Sequence, residues 1–308
     1  MSEKIGVFIF AFGAPRSLDR AELADFLEKI TGRKPAEEAV SGLLRRYETI
    51  GGLSPLVETG RAQATALEAK LAAENISSKV YFGVRYGKPS IRDAIMMAIE
   101  EGVTGAVALT HAPQFVGEIA QAYRKAATDV LEQVGALEIT FTDSYGAHPD
   151  FIDAVCARLF ELFDSDAGSS PQKSPIIFTA HSLPADSTGV SKYVDELEES
   201  ARMVVEKLQL GEHYLAFQSR GRGRAEWLEP SLEQVLERLA GLGHKEISVC
   251  PLGFVAENLE TLYDLDIAAA RHARSLGLDF HRSKTPGDSD HLIKAWADIV
   301  MSKPGAAA

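Results

Sequence analysis

Cys250-Pro-Leu-Gly-Phe-Val-Ala-Glu-Asn-Leu-Glu-Thr-Leu-Tyr-Asp-Leu-Asp266 passes from the end of an apolar strand (Ile247, Val249, Leu252) through a turn at Gly253 into a helix. At helical spacing Glu257, Glu260 and Asp264 share one stripe, beside an apolar face of Val255, Leu259, Leu262 and Tyr263. A helix that begins at the carboxyl end of a strand is where α/β proteins place their ligand sites. Acids on a helix ordinarily form a solvated flank. Acids beside a buried face can also pass protons or hold a hard cation. The rest of the chain has to decide between these readings.

Outward from this stretch, apolar β-rich runs alternate with helical patterns. Strands are expected at 6–12, 78–85, 105–111, 138–145, 175–181, 214–219, 246–251 and 279–282, with a helix over 256–276. Such alternation predicts largely parallel sheets covered by helices. A polar, breaker-rich linker is expected at 164–173, and a frayed tail after Lys303.

The two halves repeat. Lys88-Pro-Ser-Ile91 matches Glu229-Pro-Ser-Leu232, and Phe115-Val-Gly-Glu118 matches Phe254-Val-Ala-Glu257. Phe151-Ile-Asp-Ala154 matches Leu292-Ile-Lys-Ala295, and Ala11-Phe-Gly-Ala-Pro15 matches Ala180-His-Ser-Leu-Pro184. Four matches in one order predict a duplication: an α/β fold of two similar Rossmann-like lobes, 1–145 and 146–308, each with a four-stranded, mainly parallel sheet, facing a shared cleft. Duplicated scaffolds differ where chemistry is acquired. His181 stands where the first half has Phe12. Tyr263 follows Phe254 by one residue more than Tyr123 follows Phe115. An inserted residue in a helix is absorbed as a π-bulge, a feature enriched at functional sites, and one is expected between Glu257 and Tyr263.

Composition narrows the function classes. The 308-residue chain is 45% hydrophobic and 25% charged, with a net charge of −12. That balance speaks against nucleic acid and against anionic membrane surfaces. No apolar run approaches the ~20 residues of a membrane span. The first residues enter a strand pattern at once, so no secretory signal is expected. Two scattered cysteines cannot hold a four-cysteine iron–sulfur cluster, and they fit a reduced cytoplasm.

His181 ends the run Pro175-Ile-Ile-Phe-Thr-Ala-His181. It is either a satisfied structural histidine or a base or metal ligand. Glu260 and Asp264, four apart, are either surface acids or partners for it. Arg45-Arg-Tyr-Glu-Thr-Ile-Gly-Gly-Leu-Ser-Pro-Leu56 reads as a capped helix end or as a carboxylate-recognition segment using Arg46 and Ser54. Thr31-Gly-Arg-Lys-Pro35 adds two cations. Tyr86 and Lys88 are placed to line a cleft. Gly221-Arg-Gly-Arg224 lacks nucleotide-loop spacing and is set aside. The remaining histidines show no paired metal-ligand spacing.

Taken together, these motifs resemble ferrochelatases, which insert ferrous iron into a porphyrin. The resemblance spans nearly the whole chain. It rests on Arg46 to Leu56, Arg85-Tyr-Gly87, Phe178-Thr-Ala-His-Ser-Leu-Pro184, Gln218-Ser219 with Glu226-Trp-Leu228, and Pro251 to Asp264. It implies two chelatase-type lobes around a central porphyrin cleft, with His181 as the active-site histidine and Glu260 as its partner. The implied metal set is His181, Glu260 and Asp264. The implied porphyrin contacts are Phe12, Ile30, Arg46, Ser54, Tyr86 and Tyr123, of which Arg46, Ser54 and Tyr123 touch propionates. Iron is then a substrate, with no permanently bound cofactor and no iron–sulfur cluster. The partners are porphyrin, ferrous iron and a haem acceptor protein, with no nucleic acid and no membrane segment. Phe12 replaces a tyrosine that ligates iron in some short relatives, and Ala268 interrupts an acidic stripe that often continues. The short polar segment from Ile30 to Gly51 favours coproporphyrin III over protoporphyrin IX. The alternatives are a non-catalytic tetrapyrrole- or haem-binding protein, and a cobalt or nickel chelatase.

Overall fold

A computed structural model describes residues 5–115, 117–135, 137–164, 174–221 and 225–303. The expected linker beyond Asp164 (165–173), the tail (304–308) and most of the Gly221–Arg224 motif (222–224) lie outside the described residues.

Strands β1 (Ile5–Gly13), β2 (Ser78–Tyr86), β3 (Gly105–Thr110) and β4 (Glu138–Phe141) form one parallel sheet in the order β2-β1-β3-β4. Strands β5 (Ile176–His181), β6 (His213–Gln218), β7 (Glu246–Cys250) and β8 (Asp279–Arg282) form a second in the order β6-β5-β7-β8. Parallel neighbours need crossovers, and helices supply them. The first sheet carries α1 (Arg20–Thr31), α2 (Glu37–Thr49), α3 (Leu56–Ala73), α4 (Ile91–Glu100) and α5 (Gly117–Val134). The second carries α6 (Pro149–Asp164), α7 (Val190–Leu208), α8 (Leu232–Gly241) and a π-helix (Glu260–Ala269) running into α9 (Ala270–Ser275), and α10 (Asp290–Met301) follows β8.

The central strands read as continuous apolar runs because both of their faces are covered. Val7 to Ala11 and Ile177, Phe178 and Ala180 are fully buried. Phe8 and Phe10 pack with Tyr81, Ile95 and Ala108 in one core. Ile177, Ala216 and Val249 pack with Leu236, Leu265, Ala269 and Ala273 in the other.

The repeat is visible in the backbone. Ala11 pairs with Val84 in the first sheet and Ala180 with Phe217 in the second. Val84 N–H donates to Pro89 O (2.8 Å) and Phe217 N–H to Pro230 O (2.9 Å). Both prolines follow cis peptide bonds. Each is followed by a serine capping box, Ser90 with Asp93 and Ser231 with Gln234. Phe12 and His181 therefore occupy equivalent positions, as the sequence repeat requires.

The compact units differ from a contiguous division after residue 145. One comprises Met1–His111, Ile119–Asp143 and Ile293–Ala308, the other Ala112–Glu118 and Ser144–Leu292. The reason lies in burial. Trp296 of α10 is fully buried and its ring stacks on His111, 6.1 Å between centroids, with His111 in turn against Phe82. The end of the chain thus belongs to the first unit.

Trp296→Ala should cost about 3–5 kcal/mol, the usual price of emptying a buried aromatic site. Phe160→Ser on the exposed face of α6 should change stability by under about 0.5 kcal/mol. Urea unfolding followed by circular dichroism checks both. Equal midpoints for the two variants would contradict the placement of α10.

Candidate active site

His181 is the last residue of β5, paired in register with Gln218 at the end of β6. Its Nδ1 donates to the Ser182 carbonyl, which can only accept, so Nε2 faces Glu260. Tyr193 of α7, itself buried, donates its hydroxyl to His181 O at 3.1 Å and fixes the strand end from behind. His181 Nε2 lies 3.4 Å from Glu260 Oε1. The side chains are 36% and 33% exposed, so both remain within reach of a substrate.

Burial alone depresses the His181 imidazole. The neighbouring Glu260 carboxylate, with help from the Ser182 carbonyl and the Asp264 charge, more than reverses this and raises it to about 9. At neutral pH the pair is an imidazolium beside a carboxylate, and it must shed one proton before the imidazole can ligate a metal.

Glu260 opens the π-helix, and a local box places it there. Asn258 Oδ1 accepts from the backbone N–H of Glu260 (2.8 Å) and Thr261 (3.2 Å), while Thr261 Oγ1 accepts from Asn258 N–H (2.9 Å). This reciprocal cap starts the helical run at Leu259, not at Ala256 as periodicity predicts. The inserted residue is absorbed in ten residues of π-helix, Glu260–Ala269, longer than the expected bulge between Glu257 and Tyr263. The buried row is Thr261, Leu265 and Ala269, whereas Leu259, Leu262 and Tyr263 are only half-buried. The expected apolar face is therefore displaced. Glu260 and Asp264 occupy the adjacent row, which ends at exposed Ala268.

Asp264 accepts from Ser219 Oγ, and Gln218 Nε2 reaches Glu260 O at 3.5 Å. Ser219 adopts φ 59°, a left-handed conformation unusual for a residue with a Cβ. Glu257 does not share the stripe. It lies before the helix and pairs with Arg282, as described below. The three-carboxylate reading is corrected to two, because the cap at Asn258 leaves Glu257 in the preceding turn. Arg282, Asn258 and Tyr193 escaped the sequence reading. Of these, only Asn258 carried a local signal, the Asn-x-x-Thr spacing of a helix cap.

The first unit holds the other candidates. Phe12, 40% exposed and next to last in β1, has its ring edge-on to Tyr86 (5.0 Å), and Arg85 covers the Tyr86 ring (4.9 Å). Gly13 between them has φ 114°, and a Cβ there would lie 1.8 Å from Tyr86 O, so only glycine permits this approach. Ile30 is half-buried in the last turn of α1, and Arg46 half-buried in the last turn of α2. Ser54 is 7% exposed and accepts from Leu56 N–H (3.3 Å), a turn before α3. Tyr123 lies with Ala127 and Val130 on the same face of α5 and packs into the hydrophobic core, where burial raises its phenol well above the ordinary range. Elsewhere, Asp150, Asp153 and His291 bring ligand atoms within 4.8 Å of one another, but Lys207 already pairs with Asp153.

Residues 4–304 match the ferrochelatase family. The chain is 32% identical over 307 residues to the coproporphyrin III ferrochelatase of Bacillus subtilis (strain 168), covering 98% of this chain and 99% of that one. It is 32% identical over 327 residues to the ferrochelatase of Geotalea daltonii (strain DSM 22248 / JCM 15807 / FRC-32), covering 99% of both. In fold it is similar to SirB from Bacillus subtilis with Fe3+, at a TM-score of 0.61 and 12% identity over 96% of this chain and 94% of that one. Among the described residues no helix is long and apolar enough to cross a membrane. The duplicated parallel sheets, the His181–Glu260 pair and the whole-length match lead to one conclusion: this chain belongs to the ferrochelatase family, enzymes that insert iron into a porphyrin.

Proposed function

We propose that this enzyme inserts ferrous iron into coproporphyrin III, with His181 and Glu260 as the groups that handle metal and protons and Asp264 as the carboxylate behind them. The observation that carries the assignment of the site is the 3.4 Å approach of His181 Nε2 to Glu260 Oε1 on an accessible surface. The substrate assignment is supported by relatives named for coproporphyrin III at 30–32% identity. It is also supported by the polar stretch from Ile30 to Gly51, which includes Arg33, Lys34, Arg45 and Arg46. Four propionates need more cationic partners than two. Phe12, Ile30, Arg46, Ser54 and Tyr86 form the porphyrin-contacting set. Iron is a substrate, no resident cofactor is used, the setting is the cytoplasm, and a haem acceptor takes the product.

The reaction replaces two pyrrole N–H protons with one Fe²⁺, so two protons must leave as the dication enters. Binding energy spent on holding the macrocycle non-planar exposes its nitrogen lone pairs. An imidazolium cannot ligate iron or accept a proton. His181 must first lose its proton, and an arriving dication favours that loss.

His181→Ala and Glu260→Gln should each lower kcat by about 10²–10⁴-fold, the range of a lost acid–base group, while porphyrin still quenches the intrinsic fluorescence on binding. Anaerobic iron insertion measures this, and wild-type rates in both variants would remove the pair from the site. In the metal-free enzyme the His181 imidazole should titrate near pH 9 by NMR, above its ordinary 6.5. Apparent metal affinity should therefore rise with pH up to about 9 and then level off, because below that pH each bound metal must displace a proton. Glu260→Gln should bring the midpoint down, since burial then acts with less opposition. A wild-type midpoint near 6.5 would contradict the pairing. Offered coproporphyrin III and protoporphyrin IX together, the enzyme should show the higher kcat/KM for the former, and the reverse order would overturn the substrate assignment.

A further inference from the structure

Arg282, at the end of β8, has a largely buried guanidinium, its side chain 10% exposed. It grips two acids that flank the site residues in sequence. Nη1 donates to Glu257 Oε1 at 3.0 Å. Nε and Nη2 donate to Asp266 Oδ1 and Oδ2 at 2.5 and 2.7 Å, a two-pronged contact, and Nη1 also reaches Ser283 O at 3.0 Å. Glu257 is further held by Thr285 N–H (2.9 Å) and by the Thr261 hydroxyl (2.7 Å). Thr261 belongs to the box with Asn258 that receives the Glu260 N–H. A continuous polar chain thus runs from Arg282 through Glu257, Thr261 and Asn258 to the backbone of Glu260. On its other side the same guanidinium holds Asp266, two residues beyond Asp264.

Buried ion pairs contribute little net stability, because desolvation offsets their attraction. What they provide is geometry, and the planar fork of arginine fixes two carboxylates at once. We propose that Arg282 is a positioning residue for metal insertion: it clamps Glu257 and Asp266 and so holds the 257–266 segment in the conformation that presents Glu260 to His181 and Asp264 behind it. The clamp also withdraws Glu257 and Asp266 from the metal, leaving cation handling to Glu260 and Asp264. This rests on the assignment of His181 and Glu260 made above.

The test uses three variants of the full chain: Arg282→Met, Arg282→Lys, and Arg282→Met combined with Glu257→Gln and Asp266→Asn. The combined variant removes the stranded acids, so it guards against simple misfolding. Anaerobic iron-insertion kinetics, amide hydrogen exchange and thermal melting are measured on each. Arg282→Met and the combined variant should lose about 10²-fold in kcat, the cost of misplacing a reacting group by roughly 1 Å, with porphyrin KM unchanged. Arg282→Lys should fall between them and wild type. Exchange should accelerate across 257–266 and not in the first unit. In a Glu260→Gln background, Arg282→Met should add little further loss, because both changes act through one group. Wild-type kcat in the combined variant would overturn the proposal, as would a full multiplicative loss in the Glu260→Gln background or an even rise in exchange over both units. A wild-type enzyme that inserts no metal would instead refute the proposed function. Exchange across 257–266 would then still decide whether Arg282 is a clamp.

Discussion

Parallel pairing is the constraint on which the rest depends. A parallel strand can be followed by another only after a crossover, so the carboxyl ends of neighbouring strands gather at one edge of a sheet. In the second sheet that edge carries His181 from β5, Gln218 from β6 and Arg282 from β8. In the first it carries Phe12 from β1 and Tyr86 from β2. Residues up to about a hundred positions apart in the chain become neighbours without any loop having to be long. The apolar strand interiors, buried on both faces, hold that edge rigid.

Duplication gives the edge twice, and the two copies have diverged in chemistry while keeping their frame. The Pro89 and Pro230 carbonyls receive equivalent strand N–H groups, and equivalent serines cap the following helices. On this shared frame one copy has an exposed phenylalanine next to last in its first strand, against Tyr86. The other ends that strand in an imidazole against a carboxylate. The same supersecondary unit thus carries an aromatic pair in one copy and a titratable pair in the other.

The π-helix shows how a single inserted residue can be put to use. In the first half the corresponding element is an ordinary α-helix, α5, whose Tyr123 turns into the core. In the second half the wider ladder keeps Thr261, Leu265 and Ala269 in the core and sets Glu260 and Asp264 on the adjoining row. Carboxylates so close to a buried face need partners: His181 serves Glu260, Ser219 serves Asp264, and Arg282 holds Asp266.

The sequence by itself determined the elements and the duplication, and it singled out the histidine and glutamate that the fold brings together. Periodicity, turn residues and proline positions are local, and β8 and most other strand boundaries fall within a residue or two of expectation. Histidine against phenylalanine at one repeat position, and one extra residue near Glu260, were legible for the same reason: both are differences along the chain. Which acids stand together was not. Glu257 belongs with Arg282, Tyr123 lies in the core, and the last helix returns to the first unit. Each of these depends on a partner distant in sequence, and only the folded chain chooses among the partners that charge and burial allow.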